Sequence, residues 1–191
     1  MEMNLTNEVT RSTLEEHYQA LATLLEMTDK LEASVTYMRR VITNGGKIFT
    51  CGNGGSAADA QHFASELTGR FEKNRQGYAA IALTTDSSSL TAIGNDFGFE
   101  FIFSRQLQAL AQTGDLLFAI STSGNSANVV QAVNYARSND VYSIGLLGRD
   151  GGKLAELVDL PLIVPVERTA RVQEAHIFIL HLLCELLESD L

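Results

Sequence analysis

The sequence predicts an α/β fold: a doubly wound, five-stranded parallel sheet flanked by helices, with a helical N-terminal extension. Three observations predict it. Five short apolar runs alternate with segments of helical character along the chain. The runs are nearly continuous in apolar residues, the pattern of strands buried on both faces. Two of them lead into glycine- and serine-rich loops, Gly52-Asn53-Gly54-Gly55-Ser56 and Ser121-Thr122-Ser123-Gly124-Asn125-Ser126, each followed by a helix.

The elements follow in order. Between Ser12 and Asn44, Leu21, Leu24, Leu25, Met27, Leu31, Val35 and Met38 recur at helical spacing, giving one long or two shorter helices. Asn44-Gly45-Gly46 closes this extension as a C-cap. The period then changes, and Lys47–Cys51 reads as a first strand, with a helix from Ala57 to about Thr68. Ala79–Thr84 is strand-like, and a helix is expected from Phe99 to Ala111. Asp115–Ile120 is a strand, followed by the hydroxyl-rich loop and a helix to Ser138. Val141–Leu147 is a strand, Gly151–Val158 a short helix and Leu160–Pro165 a last strand. The final helix spans about Thr169 to Glu188 and is apolar nearly all round, so it should be buried on more than one side, naturally in a bundle shared between subunits.

At 191 residues, with 45% hydrophobic and 19% charged residues, the chain suits one globular domain. A net charge of −9 argues against nucleic-acid or anionic-membrane partners, because no surplus of Lys and Arg exists to neutralise phosphates. Cys51 and Cys184 lack any C-x-x-C spacing and read as reduced thiols. Met1–Thr13 carries no apolar signal region, and no uninterrupted apolar stretch is long enough to span a bilayer, so a cytoplasmic location is expected.

Right-handed crossovers would put both loops at the carboxyl edge of the sheet, where ligands of such folds bind. Glycines let the backbone approach a ligand closely, and a helix N-terminus offers free N–H groups to an anion. Four hydroxyls in the second loop can wrap phosphate oxygens without a formal positive charge. Both loops together point to a small phosphorylated ligand. Gly52–Ala57 also fits the G-x-G-x-x-A dinucleotide fingerprint, but Asp86, the acidic residue that would follow, lies farther along than expected.

After the first loop, His62 and Glu66 share a helix face at i, i+4. On the last helix, Gln173 and His181 are eight residues apart, about 12 Å along the axis. They meet at one site only if their side chains lean together or another subunit supplies one. His62, Glu66 and His181 make an N/O set that suits zinc, with Gln173 as a fourth oxygen; taken singly, His62 and Glu66 read as a solvated i, i+4 pair and His181 as a core histidine.

The runs Cys51–Ser56, Asp59-Ala60-Gln61-His62-Phe63, Glu66–Arg70, Gly94-Asn95-Asp96, Ser121–Asn128, Asp150-Gly151-Gly152 and Arg171–His176, on to His181, resemble the sugar isomerase (SIS) domain family, and within it the bacterial phosphoheptose isomerases. The resemblance covers nearly the whole chain. It implies a flavodoxin-like SIS fold and a cytoplasmic homotetramer with active sites at subunit interfaces. The implied reaction is conversion of sedoheptulose 7-phosphate to D-glycero-D-manno-heptose 7-phosphate, the first step toward the heptoses of lipopolysaccharide. It also implies zinc on His62, Glu66, Gln173 and His181, and substrate contacts from Asn53, Gly54, Gly55, Glu66, Asn95, Asp96, Ser121, Thr122, Ser123, Ser126 and Gln173. Arg70 would assist from a neighbouring subunit, with Glu66 as base and His181 as acid.

One position departs from the pattern. Ala170 stands where some members carry Asp, so any proton-handling role of that Asp is absent or moved. Thr169-Ala170 is also similar to non-catalytic relatives that bind the bacterial replication initiator. A binding module of that kind, or a sugar-phosphate sensor, is the rival reading. Retention of both Glu66 and His181 separates the two, because a protein that only binds can dispense with them.

Overall fold

Within each strand, side chains alternate between two apolar layers, and this places the sheet in the middle of the molecule. The computed structural model describes residues 5–189; Met1–Asn4, part of the segment read for a signal sequence, lie outside them. The chain runs α1 (Leu5–Ala22), a 3-10 turn (Thr23–Met27), α2 (Thr28–Thr43), β1 (Ile48–Cys51), α3 (Gly55–Thr68) and β2 (Ala80–Ala82). It continues through α4 (Ser87–Asp96), a 3-10 turn (Phe99–Phe101), α5 (Ser104–Leu110), β3 (Leu116–Ser121) and α6 (Ala127–Ser138). It ends with β4 (Tyr142–Gly148), α7 (Leu154–Leu157), β5 (Leu160–Val164) and α8 (Thr169–Glu188).

The strands form one parallel sheet in the order β2-β1-β3-β4-β5. Ile48, Leu116, Phe118 and Ile120 face a layer with Leu31, Met38, Phe63, Val172 and Leu183 of α2, α3 and α8. Phe49, Cys51, Leu117 and Ala119 face Phe103, Leu107, Val129 and Val133 of the segment around α5 and of α6. The central strands β1, β3 and β4 are thus buried on both sides, as their continuous apolar runs require, while the edge strands β2 and β5 are only partly covered. The strand order reverses between β1 and β3, and the two loops leave the sheet at that switch point.

One local feature differs from the expectation. Instead of one helix over 99–111, α4 comes first, then a 3-10 turn, then the short α5. The cause is local: Asp86 accepts a hydrogen bond from the Ser89 N–H and caps α4, while Gly98 at φ +101° breaks the chain direction. Asp86 is therefore a helix cap. The N-terminal extension resolves as two helices joined by a 3-10 turn, the second of the two arrangements expected.

α1 packs on α8 through polar contacts. His17 Nδ1 lies 2.7 Å from Glu174 Oε2, and Arg171 donates to the Thr13 carbonyl at 2.9 Å. The other face of α1 exposes Leu5, Val9, Leu14 and Tyr18, and Phe178 of α8 is also exposed. No helix among the described residues is long and apolar enough to cross a membrane.

Candidate active site

The crevice between β1 and β3 is closed at its base by two asparagines. Asn53 and Asn128 exchange reciprocal side-chain hydrogen bonds of 2.8 Å, tying the first loop to the start of α6. Asn128 is buried, and its Oδ1 also accepts from the Val129 N–H. The sequence reading quoted Asn128 within a motif without giving it a role; only the parallel pairing of β1 with β3 brings it opposite Asn53.

Each loop owes its shape to glycine. Gly54 sits at φ +56° just before the first residue of α3. Gly124 sits at φ +64°, and a Cβ there would collide with the Gly151 carbonyl, so the second loop lies directly on the turn after β4. Ser121 and Ser126 hydroxyls are 3.0 Å apart across the loop. The Ser123 hydroxyl accepts from the Asn125 N–H at 3.2 Å. These hydroxyls and the N-terminus of α6 stand at the carboxyl end of β3, an arrangement that suits a phosphate.

His62 and Glu66 stand farther along α3 and face His181 of α8. His62 Nε2 lies 2.9 Å from His181 Nε2 and 3.6 Å from Glu66 Oε1. One imidazole must donate and the other accept at that separation. His62 thus stands beside two further expected ligands, Glu66 on its own helix and His181 on α8. Among the described residues no three such side chains form a ready-made metal cage. A tetrahedral ion with metal–nitrogen bonds of about 2.0–2.1 Å keeps its ligand nitrogens about 3.3 Å apart, so the two rings have to part only slightly. The donor set, two imidazoles and a carboxylate, fits zinc.

Gln173 is elsewhere. A Cβ on Gly55 would run into its amide nitrogen, so the side chain lies against the start of α3. Gly55 and His62 are seven residues apart on α3, and Gln173 and His181 eight apart on α8. Contacts at both ends mean that the helices run in the same direction, with Gln173 about 10–12 Å from the histidines. Within this chain Gln173 belongs with the first loop and not with His62, Glu66 and His181. Asn95 and Asp96 bond to each other at 2.8 Å at the exposed end of α4, and no hydrogen bond joins them to either loop. Arg70 is exposed and donates to the Glu72 carbonyl at 3.1 Å.

Sequence reasoning missed three neighbours of the acid–base cluster. Asp59, one turn before His62, has a buried Oδ2 without a hydrogen-bond partner. Burial pushes its carboxyl up to about 6, and the nearby His62 opposes this. Its position in the Asp59-Ala60-Gln61-His62 run was the available signal. Phe71 lays its ring 5.5 Å from the His181 ring. Glu188 is buried in the last turn of α8; desolvation works against its charge, but the N–H groups of Lys73, Phe71 and Glu72 and the Arg75 guanidinium outweigh it and hold the carboxyl at about 2. A cleft at the opposite edge of the sheet is walled by stacked Tyr37 and Tyr142. Its charged residues include Lys47 and Asp115, which pair with each other at 2.9 Å.

The chain is similar to known proteins in sequence and in fold. The SIS domain family matches residues 15–148. A phosphoheptose isomerase from Helicobacter hepaticus is 55% identical over 174 residues, 91% of this chain and 89% of that protein. The structure of a phosphoheptose isomerase from Neisseria gonorrhoeae superposes with a TM-score of 0.91 at 47% identity, over 96% of this chain and 99% of that one. That of a phosphoheptose isomerase from Francisella tularensis gives 0.92 at 37% identity, over 97% and 99%. With its 2-1-3-4-5 sheet, its paired loops and its His62–Glu66–His181 cluster, the chain belongs to the phosphoheptose isomerase family of SIS-domain proteins.

Proposed function

We propose that this chain, as one SIS domain, isomerises sedoheptulose 7-phosphate to D-glycero-D-manno-heptose 7-phosphate in the cytoplasm, at the start of heptose supply for lipopolysaccharide. The observation that carries this reading is His62, on the helix that leaves the first loop, at 2.9 Å from His181 and 3.6 Å from Glu66. Ser121, Thr122, Ser123 and Ser126 would hold the phosphate; Asn53, Gly54, Gly55 and Gln173 would line the sugar chain. Asn95, Asp96 and Arg70 would join when copies of the chain assemble.

The reaction moves hydrogen within one molecule and needs no oxidant. Glu66 takes a proton from C1 of the ketose while His181 gives one to the C2 oxygen, and the enediol results. Return of a proton to C2 and loss of one from the C1 hydroxyl completes the aldose. Each positioned group contributes about 10²–10⁴-fold. Zinc held by His62, Glu66, Gln173 and His181 would supply electrophilic stabilisation of the oxyanion. Glu66 acts as base only while one of its oxygens is free of the ion.

Since Gln173 stands apart from the histidines within the chain, its place in that donor set calls for a second copy. The exposed apolar residues of α1 and Phe178 support a homotetramer with composite sites. The test is turnover of sedoheptulose 7-phosphate with and without a chelator, in the parent and in Glu66→Gln and His181→Gln. Expected is loss of turnover by roughly 10²-fold or more in each variant, with substrate binding kept. Full activity in either variant refutes its catalytic role.

A further inference from the structure

The end of α3 and the end of α8 are joined by one buried carboxylate and one guanidinium. Glu188 is 2% exposed. Its Oε1 accepts from the Phe71 N–H at 3.0 Å and from Arg75 Nε at 2.8 Å, and its Oε2 accepts from Glu72 at 2.9 Å and Lys73 at 2.7 Å. Arg75 continues the chain of contacts. Its Nη2 donates to the Glu66 carbonyl at 2.9 Å and its Nη1 to the Leu67 carbonyl at 3.0 Å. The guanidinium lies 3.9 Å from the centre of the Tyr78 ring. The carbonyls of a last helical turn have no partner within the helix, and Arg75 supplies one for α3.

Both ends of this bridge carry the proposed chemistry. Glu66 is touched by Arg75 directly. His181 is seven residues, about two helical turns, before Glu188 on the same rigid helix. Phe71, whose N–H is fixed by Glu188, packs its ring on His181. Arg70 is the residue before that fixed turn. Desolvating a charge pair is costly, and apolar side chains hold two helices together equally well. Directed bonds to four N–H groups and two carbonyls do something else: they set position.

We infer that Glu188 and Arg75 are a positioning pair that fixes Glu66 and His181 relative to each other, an inference that rests on the acid–base roles proposed above. A misplacement of about 1 Å costs up to about 10²-fold in rate. Glu188→Gln keeps the shape but turns an amide N–H toward donors; Arg75→Lys keeps the charge but loses the fork.

The test measures kcat and KM for sedoheptulose 7-phosphate in Glu188→Gln, Arg75→Lys, Arg75→Ala and Glu66→Gln. Leu24→Ala, a core truncation away from the pair, is the stability control. Expected for folded Glu188→Gln and Arg75→Lys is a fall in kcat of roughly 10–100-fold with KM within about threefold. Leu24→Ala should lose melting temperature without that fall, and added guanidinium should restore part of the Arg75→Ala rate. Parent-like kcat in folded Glu188→Gln and Arg75→Lys, beside an inactive Glu66→Gln, overturns the positioning pair alone. A kcat that only tracks melting temperature, as in Leu24→Ala, overturns it too. Should Glu188→Gln not fold, Arg75→Lys decides by the same criterion. Full activity in Glu66→Gln overturns the acid–base reading and the pair with it.

Discussion

His176 makes the acid stability of this protein calculable. It lies on α8 between Gln173 and His181, is fully buried, and neither ring nitrogen has a hydrogen-bond partner. Burial pushes its imidazole from 6.5 down to about 4, opposed in small part by the backbone of Leu147. The unfolded chain takes up this proton near pH 6.5, whereas the folded chain refuses it until about pH 4. Between these values the unfolded state holds more protons, so stability is complete above pH 6.5 and drains away as pH falls toward 4. At about 1.4 kcal/mol per pH unit the loss amounts to about 3 kcal/mol.

His176→Leu should remove this dependence. At pH 7.5 the variant should match or exceed the parent, since two orphaned polar atoms, each costing about 1–3 kcal/mol, are gone. By pH 4 its advantage should have grown by about 3 kcal/mol. Urea unfolding at fixed protein concentration, from pH 7.5 to 4, reads the difference directly. Asp59 and Glu188 titrate in both proteins and cancel. Parent and variant curves that stay parallel across this range would refute the argument, because a buried neutral imidazole cannot be pH-silent.

The two loops give contrasting predictions. Gly124→Ala drives a Cβ into the Gly151 carbonyl at φ +64°, a rigid collision, so KM should rise at least tenfold and the melting temperature should fall; parent-like values for both would contradict the phosphate role of Ser121–Ser126. Gly55→Ala meets only the movable amide of Gln173, so the melting temperature should hold while KM rises several-fold, and an unchanged KM would separate Gln173 from the substrate.

Much of the fold was legible because its signals are local. Continuous apolar runs such as Leu116–Ser121 can only be strands covered on both faces, and the glycines after β1 and β3 mark where the chain turns toward a ligand. The helix at Ser87–Asp96 is hard to see in the sequence because its start is a run of serines marked only by the Asp86 cap. His62 and Glu66 share a helix face by spacing alone, so that pair was available from the sequence.

The rest needed the third dimension. His181 is 119 positions from His62, and only the parallel packing of α3 on α8 sets their nitrogens 2.9 Å apart. That same packing sets Gln173 against Gly55 at the start of α3, away from the histidines. Asn128 opposite Asn53, and Glu188 holding the turn after α3, are likewise long-range contacts without a sequence period. Composition and spacing determined the fold class, the two loops and the His62–Glu66 pair, and the resemblance to the phosphoheptose isomerases singled out Glu66 and His181. Helix packing decided which of those residues share a site, because distances across the molecule depend on how elements pack and not on their order in the chain.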